Sequence, residues 1–536
     1  MDESVFWADH LAGECIDRKA FMYSNKKYAL PKRPAIKTSS SLSGVLHIGR
    51  LTDIVRGEAV YKGLKDAGVK ARFIYVAEDM DPLRKIPKGV PKSYEEYIGV
   101  PVTDIPDPEG CHDTYADHHV REFFDVFGDF VQEEPERFSM RAEYKKGTFN
   151  ESVKTVMGNY EKVRGIIESF KDEPLDPGWI PWQPVCDNCG KIITTKATKY
   201  ENGKVHYVCK DYKFKTMTAK GCGYEGESDV LKGNGKMPWK SEWASQWKVW
   251  DVVAEGAGKE YNVPNSAFFI NTRICEDVLG YPAPKPIFYE HITVGGGQKM
   301  SASVGNVVYP RDWLEVAPAE ALRLLFLKRI NTTRDFKWED VPRLMDELEQ
   351  LEAVYFDVEE VEDHKERMHL KRLYEMVQVG KMPKKFESVI PYSTAAMVSQ
   401  IVPLDNKERL VSVLRNLGHE MTERNEKILH LAEKWANKYS PQFKLIEKLD
   451  AKTKAAINPA QKKALAQIAA ELDSGPKENE LAPKIFQAAN DNGLKPGQVF
   501  QAIYTVLLGE KRGPRAAPFI LSLDKDFVQK RFRLES

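Results

Sequence analysis

The stretch Thr38-Ser-Ser-Ser-Leu-Ser-Gly-Val-Leu-His-Ile-Gly-Arg50 decides how this chain is read. It follows an extended segment, Arg33 to Lys37, and opens a segment of helical periodicity, Leu51 to Leu64. Small residues, with Gly44 and Gly49, therefore fall at a strand-to-helix turn. A helix N-terminus presents unpaired N–H groups to an anion, glycine removes the Cβ that would block approach, and His47 and Arg50 add donors. Such a turn suits a phosphate. Far downstream, Gly297-Gln-Lys-Met-Ser-Ala-Ser-Val-Gly-Asn306 supplies a mobile cation, Lys299, hydroxyls at Ser301 and Ser303, and flanking glycines. Together the two stretches can hold a triphosphate from both sides.

Around the first stretch the pattern is β-α-β. Ala71-Arg-Phe-Ile-Tyr-Val-Ala77 reads as the second strand, and ligands of open α/β sheets bind beyond the carboxyl ends of strands. Asp79 and Asp81, just past that end, either cap the next turn or meet a cationic substrate. From about residue 86 to 230 the alternation breaks, which reads as an insertion between two halves of a nucleotide fold. It resumes through Trp239, Trp243 and Trp247, one helical turn apart, to the strand Ile287–Thr293. That tryptophan stripe is core or pocket wall, and Glu242 beside it faces a ligand in the second case.

The chain has 536 residues with Lys+Arg and Asp+Glu balanced at 79 each, so any polyanion contact must come from local patches. The N-terminal stretch lacks the basic and apolar regions of a secretory signal, and no run of about 18 apolar residues occurs. The expectation is a cytoplasmic protein. Four of the seven cysteines gather between Cys186 and Cys222, which points to metal rather than disulfides. Cys186-Asp-Asn-Cys189 is a zinc knuckle; Cys209 and Cys222 would close the set, with His206 as a substitute ligand. Asp107, Cys111, His112, His118 and His119 make a second concentration of donors, read either as a zinc site or as a helix carrying surface histidines. After Pro310 the chain turns helical, and Gly509-Glu-Lys-Arg-Gly-Pro-Arg515 with Lys525, Lys530, Arg531 and Arg533 is either an RNA patch or a solvated end.

The two phosphate stretches resemble the HIGH and KMSKS signatures of class I aminoacyl-tRNA synthetases. With Asp81-Pro-Leu-Arg-Lys85, Gly110 to His118, Glu242-Trp-Ala-Ser-Gln-Trp247, Gly258-Lys-Glu260 and Gly513-Pro-Arg515, nearly the whole chain resembles class I lysyl-tRNA synthetases. The resemblance implies an α/β Rossmann-type catalytic domain in halves 1–106 and 231–310, a zinc-binding insertion at 107–230, a stem-contact region at 311–345 and an all-α anticodon-binding domain at 346–536. It implies lysine activation with ATP and Mg²⁺ followed by transfer to lysine tRNA; beside it, a monomer without membrane contact is expected. His47, Arg50, Lys299, Ser301 and Ser303 would be catalytic, and Ser43, Gly44, Gly49 and Met300 would join His47, Arg50 and Lys299 in binding ATP. Lysine would meet Thr38, Asp79, Asp81, Glu242, Trp243, Glu260 and Tyr261. Structural zinc would be held by Asp107, Cys111, His112 and His118, and by Cys186, Cys189, Cys209 and Cys222.

The chain departs from the family pattern at Ser39, Leu42, Arg50, Tyr261 and Val304, where the family has Gly, Pro, Asn or His, His, and Lys. These departures leave open a non-charging tRNA-binding paralogue, or a ligase for another amino acid.

Overall fold

The computed structural model describes residues 6–41, 47–87, 90–261, 263–300 and 306–535. Leu42, Ser43, Gly44, Ser301, Ser303 and Val304 lie outside the described residues. The described chain divides into two compact units. One comprises residues up to 311 with 322–336 and 360–382; the other comprises 312–321, 337–359 and 383–535.

The first unit is built on a five-stranded parallel sheet. Its strands are β1 (Ala35–Ser41), β2 (Arg72–Glu78), β3 (Glu136–Ser139), β4 (Val252–Gly258) and β5 (Lys285–Tyr289). Their order in space is β5-β4-β1-β2-β3, with every pairing parallel. Sequence order therefore reverses at β1, and the crevice between β1 and β4 is the switch point of a Rossmann-type sheet. The central strands are covered on both faces, so they read as buried runs: in β2, Phe73 to Glu78 are all buried. Each buried Val, Ile or Phe there contributes about 1.5–3 kcal/mol. Helix α1 (Trp7–Asp17) packs against α2 (Ile48–Asp66), which follows β1 and buries thirteen of its residues.

Two boundaries differ from the sequence expectation. The edge strand β3 lies inside 107–230, the segment read as an insertion; it has four residues, half-buried at best, and carries no strand periodicity to be seen. The helix His364–Val377, read as part of the tail domain, belongs to the first unit, where Arg372 holds Asp9 at 2.8 Å and Asp66 at 2.7 Å. Arg323, fully buried, ties the same helix down by donating to the carbonyls of Met376 and Val377 and to Glu58 at 2.6 Å.

The insertion proper carries a three-stranded antiparallel sheet, Thr195–Glu201, Lys204–Cys209 and Glu225–Asp229. The residues between Cys209 and Cys222 form a small hairpin, Tyr212–Lys213 with Thr218–Ala219.

The second unit is helical in nearly all its regular structure, with Glu423–Tyr439 packed on Tyr392–Ile401 and Pro459–Glu471 on Glu478–Asp491. Arg531, counted from charge as part of a surface patch, is instead buried and donates to the Ile446 carbonyl at 2.7 Å. Lys525 is paired with Asp473 at 3.2 Å and Arg515 with Glu478 at 3.0 Å. No helix of the described residues is long and apolar enough to cross a membrane.

Candidate active site

His47 is the N-cap of α2. Its Nδ1 accepts the Gly49 N–H at 3.1 Å, the ordinary job of a capping acceptor. Burial, with the nearby Arg50 and Lys299 charges, lowers its pKa to about 4. The ring is therefore neutral at physiological pH, and with Nδ1 accepting, the proton sits on Nε2 as a donor. Gly49 is required sterically: a Cβ there would lie 2.8 Å from His47 Cε1 and 3.4 Å from Met300 Cε.

That contact also places Met300, and with it the downstream loop, over the turn. The Ile48 N–H donates to the Val308 carbonyl at 2.9 Å, so the two phosphate stretches are stitched together on both sides of Ser301–Gly305. Lys299 stands on a hairpin, Ile292–Val294 with Gln298–Lys299. The turn between those strands holds Gly295, Gly296 and Gly297 at φ of 60°, 88° and 90°, a run of left-handed conformations that only glycine adopts readily. Asp335 accepts the N–H groups of Gly296 and Gly297 at 2.9 Å each. Lys299 itself is exposed and rests 3.5 Å from Glu260, which His291 also holds at 2.8 Å. The His291 bond, against a burial that would raise it, keeps the Glu260 carboxyl at about 2.

The acids expected to meet a substrate are distributed unevenly. Asp79 accepts the Arg141 N–H at 2.9 Å, so it holds the start of the helix after β3. Asp81 and Glu242 flank a lysine of the chain: Lys236 Nζ lies 3.0 Å from Asp81 and 3.1 Å from Glu242, and Tyr144 donates to Glu242 at 2.9 Å. Thr38 is buried with its hydroxyl on the Ile74 carbonyl. Trp243 does stand with Tyr261, ring centroids 5.3 Å apart and edge to face.

Sequence reading passed over Asp53. It lies on α2 at the switch point, accepting the Ser39 N–H at 3.4 Å and the Tyr289 hydroxyl at 3.2 Å. Burial, and then the Glu255 carboxylate, raise its pKa to about 6. Gly256 makes room for it, since a Cβ there would lie 1.7 Å from Asp53 Oδ1. Lys37 and Glu255 were also passed over. For Lys37 and Glu255 a signal was present, since each is the lone charge in an otherwise uncharged strand, Ala35–Ser41 and Val252–Gly258, where a buried charge needs a partner or a function.

Two donor clusters remain. Cys186, Cys189, Cys209 and Cys222 keep their sulfurs within 4.8 Å of one another, as do the donor atoms of Asp107, Cys111, His112 and His118. Cys186–Cys222 and Cys189–Cys209 are each 3.7 Å apart. A tetrahedron with Zn–S bonds of about 2.3 Å has edges of about 3.8 Å, so the thiols fit that ion. His206 pairs with Glu201 and Glu227 at 3.3 and 3.5 Å and is not part of the set. In the other cluster Cys111 Sγ lies 3.2 Å from Asp107, 3.1 Å from His112 and 3.3 Å from His118. His119 stands apart, edge-on to Tyr115.

A parallel sheet with its switch point beside a helix-capped histidine turn, closed by a glycine-hinged lysine loop, defines a nucleotide-binding fold of the class I synthetase kind. Residues 5–380 match the family tRNA synthetases class I (K), and residues 386–534 match the anticodon binding domain. The chain belongs to the class I tRNA synthetases of that (K) family, a class that uses ATP. It is 32% identical over 556 residues to a lysine–tRNA ligase of Methanosphaera stadtmanae, covering 99% of this chain and 100% of that one. It is 32% identical over 552 residues to the lysine–tRNA ligase of Methanocaldococcus jannaschii, with the same coverage of each chain. Among solved structures, a glutamate–tRNA synthetase of Elizabethkingia anophelis is similar at 12% identity and a TM-score of 0.38, over 94% of this chain and 100% of that one.

Proposed function

We infer that this protein activates lysine with ATP and Mg²⁺ to lysyl-adenylate and transfers it to lysine tRNA, acting in the cytoplasm as a monomer. What supports this reading is the match of residues 5–380 to the class I (K) synthetases and of nearly the whole chain to lysine–tRNA ligases; within the fold, a buried carboxylate, Asp53, lies at the switch point, and the rings of Trp243 and Tyr261 meet edge to face. A side-chain ammonium in a partly dry pocket calls for that pairing of anion and ring face.

In the activation step the amino-acid carboxylate attacks the α-phosphorus in line and pyrophosphate leaves. No enzyme nucleophile is needed, so the protein orients the reactants and stabilises the charge that develops on the leaving group. The His47 Nε2–H and Arg50 would donate to the phosphates. Lys299, parked against Glu260, would move onto them with its loop, joined by Ser301 and Ser303. Ser43, Gly44, Gly49 and Met300 would line the nucleotide. Of the remaining acids, Asp79, Asp81 and Glu242 would shape the pocket floor through Arg141 and Lys236, while Glu260 would serve the loop.

Zinc would be held by the four cysteines and by Asp107, Cys111, His112 and His118. It would supply no step of the reaction but would tie the insertion together. The helical unit would receive the tRNA anticodon; it contains a cavity of about 780 Å³ lined by Thr394, Met397, Trp435, Phe443, Arg512 and Arg515. The reading is tested by aminoacylation of lysine tRNA transcript with each amino acid. Lysine alone should be attached; attachment of another amino acid, or tRNA binding with none attached, selects one of the two alternatives.

A further inference from the structure

Two charged residues stand inside the central sheet without a part in the reaction just described. Lys37 on β1 and Glu255 on β4 are register partners across the switch point. Their side chains are 0% and 2% exposed, and the Lys37 ammonium donates to Glu255 Oε1. The other oxygen, Oε2, accepts the indole N–H of Trp243 at 2.8 Å and that of Trp247. Glu255 is thus tied through one oxygen to a cation and through the other to the wall of the proposed amino-acid pocket. Asp53, across Gly256, is hydrogen-bonded among the described residues to neutral donors, Ser39 N–H and the Tyr289 hydroxyl.

A buried ion pair is a poor stabilising device, because a well-packed apolar pair of similar volume holds a sheet as well or better. Placing one at the crevice where the strand order reverses therefore calls for a role in the site. We propose that Lys37 is a built-in counter-ion of the amino-acid pocket, taking up the charge of Glu255 so that Glu255 fixes the Trp243 indole while Asp53 stays available to the substrate's side-chain ammonium. The proposal rests on the lysine reading and deepens it. Glu255 has Lys37 as its partner, whereas Asp53 has no cation within ion-pair distance among the described residues, the buried Arg56 guanidinium acting on it only from farther off. Lys37 and Glu255 are positioning residues in this scheme; neither touches the reacting atoms.

The test is a charge cycle on the full chain, read as the KM for lysine and the KM for ATP in tRNA-supplemented pyrophosphate exchange. Glu255→Gln strands the Lys37 ammonium beside Asp53, where it competes with substrate, and should raise the lysine KM by about 100-fold. Lys37→Met frees a second carboxylate and loosens Trp243, and should raise it by about tenfold. The double variant removes both charges and should return the lysine KM to within about fivefold of wild type, with the ATP KM steady throughout. If Lys37→Met does not fold, Glu255→Gln against the double variant carries the comparison. A double variant as impaired as the worse single one means the pair only packs, and overturns the proposal. Wild-type protein without lysine-dependent exchange overturns the lysine reading and the proposal with it; exchange in wild type without rescue overturns the proposal alone.

Discussion

Two groups of carboxylates lie in and beside the central sheet, each with a lysine of the chain among them, and they are balanced differently. At the end of β2, Lys236 is shared by Asp81 and Glu242, with Glu78 close by. There the remaining oxygens are also engaged: Ser41 donates to Asp81 at 3.4 Å, Tyr144 to Glu242 at 2.9 Å and Gln246 to Glu78 at 3.1 Å. Burial alone would lower the Lys236 pKa, but the Glu242, Asp81 and Glu78 carboxylates hold it well above its ordinary value. At the switch point, Lys37 is paired with Glu255, while among the described residues Asp53 accepts hydrogen bonds from neutral donors, with the Lys37 and Arg56 charges acting on it from a distance. The first group is satisfied among the described residues, and in the proposed scheme it is scaffold. In the proposed scheme the second leaves Asp53 for a cationic substrate.

The contrast is broken most severely by removing the first group's cation. Lys236→Met leaves Glu242 buried without a counter-charge, Asp81 keeping Arg84 at 3.7 Å, and should cost about 3–5 kcal/mol of unfolding free energy, measured by urea titration. A loss under about 1 kcal/mol would mean water reaches these acids. Asp53→Asn should be milder for the fold and specific for the substrate. It should lower kcat/KM for lysine by about 100-fold, since a buried partner of the ammonium is gone, with the ATP KM nearly unchanged.

The pH dependence sharpens the same contrast. Asp53 must be ionised to hold an ammonium, and burial beside Glu255 raises its pKa to about 6, offset in part by Ser39 N–H, the Tyr289 hydroxyl and Lys37. The kcat/KM for lysine should therefore fall below about pH 6. His47, lowered to about 4, stays neutral across that range and cannot produce the limb.

The smallest expected effect concerns Glu78, whose carboxyl burial pushes up to about 8, with the Lys37 ammonium opposing and Glu242 adding. A raised acid binds its proton more tightly in the folded chain, so its contribution to stability is present at low pH. It is lost as pH rises from its ordinary 4.5 through about 8. Glu78→Gln should flatten the decline of melting temperature over that window; an unchanged slope would assign the decline to other groups.

Much of this was legible in the sequence because glycine and histidine at a strand-to-helix turn leave few other readings. Gly49 and the Lys299 loop were found that way, and the four cysteines by their spacing. What stayed hidden was pairing. Asp81 and Glu242 look available in one dimension, and only the fold brings Lys236, from a two-residue strand ahead of the tryptophan helix, between them. Asp53 was masked for the opposite reason: an acid in the second turn of a helix reads as a solvated residue, and β4 packs over it. β3 was missed because four half-exposed residues carry no periodicity, and Arg531 because a count of charges does not say which side of a helix is buried.

The proposed pocket leaves one carboxylate, Asp53, for one substrate ammonium, and the decisive measurement is ATP–pyrophosphate exchange with each of the twenty amino acids, with and without tRNA. Exchange with lysine and with no other amino acid, lost in Asp53→Asn, is the predicted result. Exchange with a neutral or acidic amino acid, or lysine exchange that survives Asp53→Asn undiminished, would contradict it.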